Sequence, residues 1–235
     1  MSAEPSQIRN TRGSGPLCAA DIDDAAQRIA GVVTPTPLEL SDRLSKITGA
    51  SVYLKREDLQ TVRSYKLRGA YNLCVQLSGE EIAAGVVCSS AGNHAQGFAY
   101  ACRTLGVRGR VYVPAKTPKQ KRDRIRYHGG EFIELIVGGS TYDLAAEAAL
   151  ADVARTGATL VPPFDDPRTM AGQGTIAVEF LDQLGVEPDL VVVPVGGGGC
   201  IAGITTYLAE RTTNTAVLGV EPAGAAAMMA ALASG

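Results

Sequence analysis

The chain holds 235 residues, 46% of them hydrophobic and 20% charged, with a formal net charge of -2. A length of this order buries a substantial core in one large or two small domains, and so even a charge balance recruits neither nucleic acid nor an anionic membrane. The five cysteines (Cys18, Cys74, Cys88, Cys102, Cys200) are scattered and never spaced C-x-x-C, and His94 and His128 are the only imidazoles, which argues against a disulfide framework, a zinc site or a multi-histidine metal centre.

Residues 1–16 are polar, contain Gly, Pro and Ser, and predict a loose tail without the apolar core of a secretory signal. No later run is long and apolar enough to span a bilayer, so the chain reads as cytoplasmic. In chain order the pattern then predicts a strand at 51–55, a helix at 66–77, a strand at 85–89, a helix at 94–105, a strand at 109–113, a helix at 118–128, a strand at 131–137, a helix at 141–155 and a strand at 158–161. A helix at 169–184, a strand at 190–195, a helix opening at Cys200 and a strand at 216–220 follow. Such alternation belongs to an α/β protein, a parallel sheet covered by helices. The signals Pro162-Pro163 and Asp165-Asp166-Pro167 mark either a domain crossing or a plain helix cap. After 216–220 an alanine- and methionine-rich helical stretch reaches Gly235 with no further strand. A sheet element needs neighbours to bury its faces, which predicts a C-terminally incomplete fold.

Three segments bear on function. The four glycines Gly196, Gly197, Gly198 and Gly199 follow the apolar run 190–195 and lead into a helix. A buried strand that breaks into bare backbone before a helix leaves N–H groups free at the positive end of the helix dipole, a pocket for phosphate; the plainer alternative is a flexible turn. Gly197-Gly198-Gly199-Cys200-Ile201-Ala202 also fits G-x-G-x-x-A, with Glu221 ending the next strand, a weak dinucleotide signal. Lys66, in Arg63-Ser64-Tyr65-Lys66-Leu67-Arg68, sits in the first turn of a helix, where the dipole and two nearby arginines disfavour its ammonium form; only the free amine can form a Schiff base. Taken alone, a lysine among arginines is usually part of a solvated basic face. Finally, Ser89-Ser90-Ala91-Gly92-Asn93-His94-Ala95-Gln96-Gly97 puts small residues at a helix N-terminus, whose amides can hold a carboxylate while Asn93 offers a neutral donor; simple capping, with His94 satisfied in the helix, is the alternative.

Together with Leu54-Lys55-Arg56-Glu57-Asp58, Pro163-Phe164-Asp165-Asp166, Gly172-Gln173-Gly174-Thr175 and Gly219-Val220-Glu221-Pro222, these segments resemble the fold-type II (tryptophan synthase β-like) pyridoxal-phosphate enzymes, and within them the threonine dehydratases. The resemblance implies two parallel or mixed sheets covered by helices, a large cofactor domain of 17–73 and 165–235, a small domain of 74–164, and a homo-oligomer. It implies pyridoxal 5'-phosphate as cofactor. By position, Lys66 would hold the cofactor as a Schiff base and act as general base, Asn93 would bond the pyridoxal 3′-oxygen, and Gly196, Gly197, Gly198, Gly199 and Cys200 would cradle the phosphate. Amides of Ser90, Ala91, Gly92 and His94 would hold the substrate carboxylate.

The implied reaction is a β-elimination that turns L-threonine into 2-oxobutanoate and ammonia, the first step of isoleucine biosynthesis, with L-serine as a secondary substrate. A degradative dehydratase differs in regulation and stays open, as does a chain that binds cofactor or a partner without turnover, because the family's pyridine-nitrogen partner falls beyond residue 235. Ala91 stands where serine racemases of this fold carry a second serine, and a methyl group cannot take a proton, which disfavours racemisation. Ala227 stands where racemase-type relatives add a second acid beside Glu221, so no divalent-cation site is expected.

Overall fold

The structure, a computed structural model, describes residues 16–234, so the expected tail at 1–15 and the terminal Gly235 lie outside the described residues. Helix α1 (Ala19–Ile29) turns Ala19, Ile22, Ala25 and Ile29 inward at helical spacing. Strands β1 (Leu38–Leu40) and β2 (Tyr53–Lys55) pair antiparallel, and helix α2 (Asp42–Thr48) between them starts on Ser41 and ends on Gly49 at φ 73°. Helix α3 (Lys66–Cys74) is followed by α4 (Gly79–Ala84), which Ser78 and Glu81 close with a capping box.

Next comes a four-stranded parallel sheet in the order β5-β4-β3-β6. Its strands β3 (Val86–Ser89), β4 (Gly109–Val113), β5 (Ile133–Val137) and β6 (Thr159–Leu160) are linked by helices α5 (Asn93–Leu105), α6 (Lys119–Gly129) and α7 (Tyr142–Thr156). Val86, Val87 and Cys88 are fully buried, as a central strand covered on both faces requires. Helix α8 (Pro167–Leu184) leads to β7 (Leu190–Pro194), α9 (Gly199–Arg211), β8 (Ala216–Val220) and α10 (Ala227–Ser234), with β7 and β8 parallel. The α/β architecture of parallel strands under helices is the expected one. Asp166 is a helix cap: its carboxylate accepts the Arg168 amide at 2.8 Å, with Pro167 at the first helical position of α8.

Two clusters make the main core. One gathers Leu67, Leu73, Phe98, Val111 and Ile125 around α3 and α5; the other gathers Ile22, Ala177, Phe180, Ile204 and Leu208 among α1, α8 and α9. Glycines let the helices meet backbone to backbone. A methyl group on Gly172 of α8 would lie 2.5 Å from the Gly69 Cα and 2.6 Å from the Arg68 carbonyl of α3. One on Gly203 of α9 would lie 2.7 Å from the Gly174 amide of α8, and one on Gly97 of α5 2.8 Å from the Leu67 amide. Below α3, the fully buried Arg68 guanidinium binds Glu57 at 2.7 and 2.9 Å and Glu179 at 2.6 and 2.9 Å. Lys55 joins at 2.6 Å from Glu179. A buried cation with two carboxylates and full hydrogen bonding fixes geometry more than it adds stability.

Candidate active site

Strand β7 ends at Pro194, and the Val195 amide still donates to Val220 at 2.8 Å before the chain leaves the sheet through Gly196 to Gly199. Gly198 takes φ 84°, ψ -22°, a left-handed turn that swings the chain into α9. Phe164 packs against this bend: a methyl on Gly197 would fall on its ring, and one on Gly199 would lie 2.7 Å from its carbonyl. At Gly196 a methyl would meet no atom within 4 Å. The first amide spent inside the helix is that of Ala202, which donates to Gly198 at 2.9 Å. The amides before it stand at the helix N-terminus, where the dipole favours an anion.

A cleft of about 170 Å³ opens over this bend, lined by Gly196 to Gly199, Cys200, Ile201, Val195, Pro194, Phe164, Tyr65 and Lys66. Lys66 is the first residue of α3, and its Nζ donates to the Pro163 carbonyl at 2.7 Å. Burial holds the amine below its ordinary pKa. The expected pressure from neighbouring arginines is corrected here: Arg68 turns into its two carboxylates, and Arg63 is exposed at φ 62°. Burial pushes the Cys200 thiol up to about 12, against the pull of Lys66, so it faces the cleft as a neutral group.

The β3–α5 turn carries the second group of expected residues. Ser90 Oγ accepts the Gly92 amide at 3.3 Å, and Asn93 opens α5 with its side chain exposed. His94 behaves differently: its ring is buried and its Nε2 bonds the Val161 carbonyl at 2.8 Å, so only its amide is left for a substrate. Lys66, Gly196 to Gly199 and Cys200 are therefore brought together, whereas Ser90, Ala91, Gly92, Asn93 and His94 do not line the cleft. The helix they open, α5, meets the Lys66–Leu67 backbone at Gly97. The sequence pattern does not mark out Tyr65, Ile201 or Phe164 as cleft residues or Pro163 as the partner of Lys66, although Pro163 and Phe164 stand in a segment that carries the resemblance. Glu221, the acid of the dinucleotide alternative, accepts the Met228 and Met229 amides at 2.9 Å each and so caps α10. Among the described residues no group of three or more His, Cys, Asp or Glu side chains is placed to hold a metal ion, and no helix is long and apolar enough to cross a membrane.

Residues 29–235 match the family model described as pyridoxal-phosphate dependent enzyme. The chain belongs to that family. Its residues fit the cofactor: a glycine bend with free helix-terminal amides suits the phosphate, and an amine whose burial disfavours the charged form suits the aldehyde. Across all 235 residues the chain is 85% identical to the L-threonine dehydratase biosynthetic IlvA of Mycobacterium tuberculosis, covering 55% of that protein. To its counterpart in Mycobacterium leprae it is 83% identical, covering 54%. The chain thus spans about half the length of the curated relatives it matches. Among solved structures, the processed form of threonine deaminase isoform 2 from Solanum lycopersicum aligns at TM-score 0.84 and 39% identity, over 100% of this chain and 68% of that one. Maize serine racemase aligns at TM-score 0.87 and 30% identity, over 93% and 65%. The fold is that of the fold-type II enzymes of this family.

Proposed function

We propose that this chain carries the catalytic site of an L-threonine ammonia-lyase, which converts L-threonine to 2-oxobutanoate and ammonia for isoleucine biosynthesis, with L-serine as a secondary substrate. The observation that carries the reading is one cleft lined by both a part-buried amine, held below its ordinary pKa, and a bend of bare amides. The names of the relatives support the substrate and the biosynthetic role.

In this reading Lys66 holds the cofactor covalently, and Gly196 to Gly199 with Cys200 bind its phosphate through backbone amides and a helix dipole. Bound there, the cofactor supplies an electron sink for the negative charge that develops at the substrate Cα. Lys66, once its amine is free, removes the Cα proton; burial favours the neutral form that this task needs. The Pro163 carbonyl takes one N–H of that amine and so orients its lone pair. Amides of Ser90, Ala91, Gly92 and His94 hold the substrate carboxylate, and Asn93 bonds the cofactor's 3′-oxygen. Ala91 offers no second base on the opposite face of Cα, so the proton is not returned there. The β-hydroxyl leaves as water, and hydrolysis of the released product yields the 2-oxo acid and ammonia.

The division into a cofactor domain (17–73 and 165–235) and a small domain (74–164) belongs to the same proposal, supported by a four-stranded sheet that falls wholly within 74–164. So do a cytoplasmic location and a homo-oligomer, which light scattering on the purified protein tests. The deciding experiment is borohydride reduction followed by peptide mass mapping. A pyridoxyl adduct on Lys66, with 2-oxo acid formed from L-threonine and both lost in Lys66→Ala, is expected. An adduct on another lysine, or none, overturns the reading.

A further inference from the structure

His94 is the second residue of α5, its ring 2% exposed. Its Nε2 lies 2.8 Å from the Val161 carbonyl, and a carbonyl only accepts, so Nε2 carries the proton and Nδ1 is the bare nitrogen. That Nδ1 is buried without a partner. The ring thus makes one hydrogen bond at the expense of an unsatisfied lone pair, an arrangement that calls for a reason.

The reason lies at Val161 and the three residues after it. The Val161 amide donates to Val87 at 2.8 Å, so the residue is held at both ends, by the sheet through its N–H and by His94 through its carbonyl. Pro162 and Pro163 come next, and neither has an N–H with which to anchor itself. With both φ angles locked by their rings and the Pro162 carbonyl accepting from Thr169 Oγ1 at 3.4 Å, few rotations are left between residue 161 and the Pro163 carbonyl. That carbonyl holds the Lys66 amine, and the next residue, Phe164, backs Gly197 and Gly199.

We propose that His94 is a positioning residue: by holding the Val161 carbonyl it aims the Pro163 carbonyl at the Lys66 amine and seats Phe164 on the glycine bend. This rests on Lys66 being the reactive amine. It also couples the α5 start, with Asn93, to the turn at 162–164.

Three variants separate the role from mere core filling. Glutamine can present an N–H near the place of Nε2, asparagine is too short to do so, and leucine has no donor. In protein stripped of cofactor, His94→Leu and His94→Asn are expected to speed reductive methylation of Lys66 about tenfold, on the scale of one lost buried hydrogen bond, and to speed hydrogen exchange at Phe164 and Asp165. His94→Gln is expected to stay within about threefold of the unaltered protein on both readouts. With cofactor bound, the Leu and Asn variants lose about tenfold in kcat with KM changed less than threefold. Slow exchange at the buried amides of β3 certifies the fold. If His94→Leu does not fold, the Gln and Asn pair decides. The proposal is overturned if a folded Leu or Asn variant keeps ordinary Lys66 labelling and exchange, or if Gln fails as they do. Should the unaltered protein form no adduct at Lys66, the proposed function falls, while the cofactor-free comparison still decides the role of His94.

Discussion

Gly197 and Gly198 fail differently when given a side chain. At Gly198 the left-handed φ of 84° makes alanine strained by roughly 1–2 kcal/mol. At Gly197 the added methyl displaces the Phe164 ring and with it the wall of the cleft. Titration by cofactor absorbance is expected to show Gly197→Ala weakening pyridoxal-phosphate binding by more than about tenfold, the equivalent of about 1.4 kcal/mol, and Gly198→Ala by less. Equal and unaltered affinity in both would remove the bend from the cradle. The glycine run stood out in the sequence by its own chemistry, whereas Lys66 and Asn93 each had a plainer local reading and were singled out only by the resemblance. Pro163 did not stand out: it acts through a backbone carbonyl, which every residue has. The arginine argument at Lys66 went astray because the direction of Arg68 depends on Glu57 and Glu179, 11 and 111 positions away.

Helix α3 owes its seat to partners that a local window cannot see. Replacing Arg68 by leucine leaves Glu57 without its cation and Glu179 with Lys55 alone, and urea unfolding should record a loss of about 3–5 kcal/mol. Lysine at 68 should recover little of it, since a single ammonium cannot make the paired contacts of the guanidinium. A loss under about 1 kcal/mol for Arg68→Leu would show that the cluster is solvated rather than structural. Strands 109–113 and 216–220 were legible to the residue, being β-branched runs of ordinary length. Strand β5 begins two residues late because Gly130–Phe132 first makes a 3₁₀ turn. β1, with three residues, and α4, with six, are too short to establish a period. α1 hides its apolar stripe among Asp21, Asp23 and Asp24.

The molecule as a whole should lose stability in mild acid. Burial, aided by Lys66, holds His94 at about 4 against an ordinary value of 6.5. Between those values the unfolded chain takes up a proton that the native state refuses, so stability is complete above 6.5 and falls as the pH drops toward 4. The span is worth about 3 kcal/mol, and His94→Gln should flatten it in urea titrations at pH 7 and 4.5. Glu179 and Asp152, lowered because ion pairs with Arg68 and Arg110 outweigh their burial, add to the loss in the same direction. An acid profile unchanged in His94→Gln would assign the whole slope to carboxylates. The glycine contacts of α8 have another consequence. With glycine contacts on both of its sides, this helix acts as a spacer of fixed thickness between α3, which starts at Lys66, and α9, which starts at the glycine bend. Side chains elsewhere can relax to new rotamers when the interior is altered or warmed, but the glycine contacts on these two faces have none to relax. The spacing of α3 and α9 should therefore stay constant while the surrounding interior loosens.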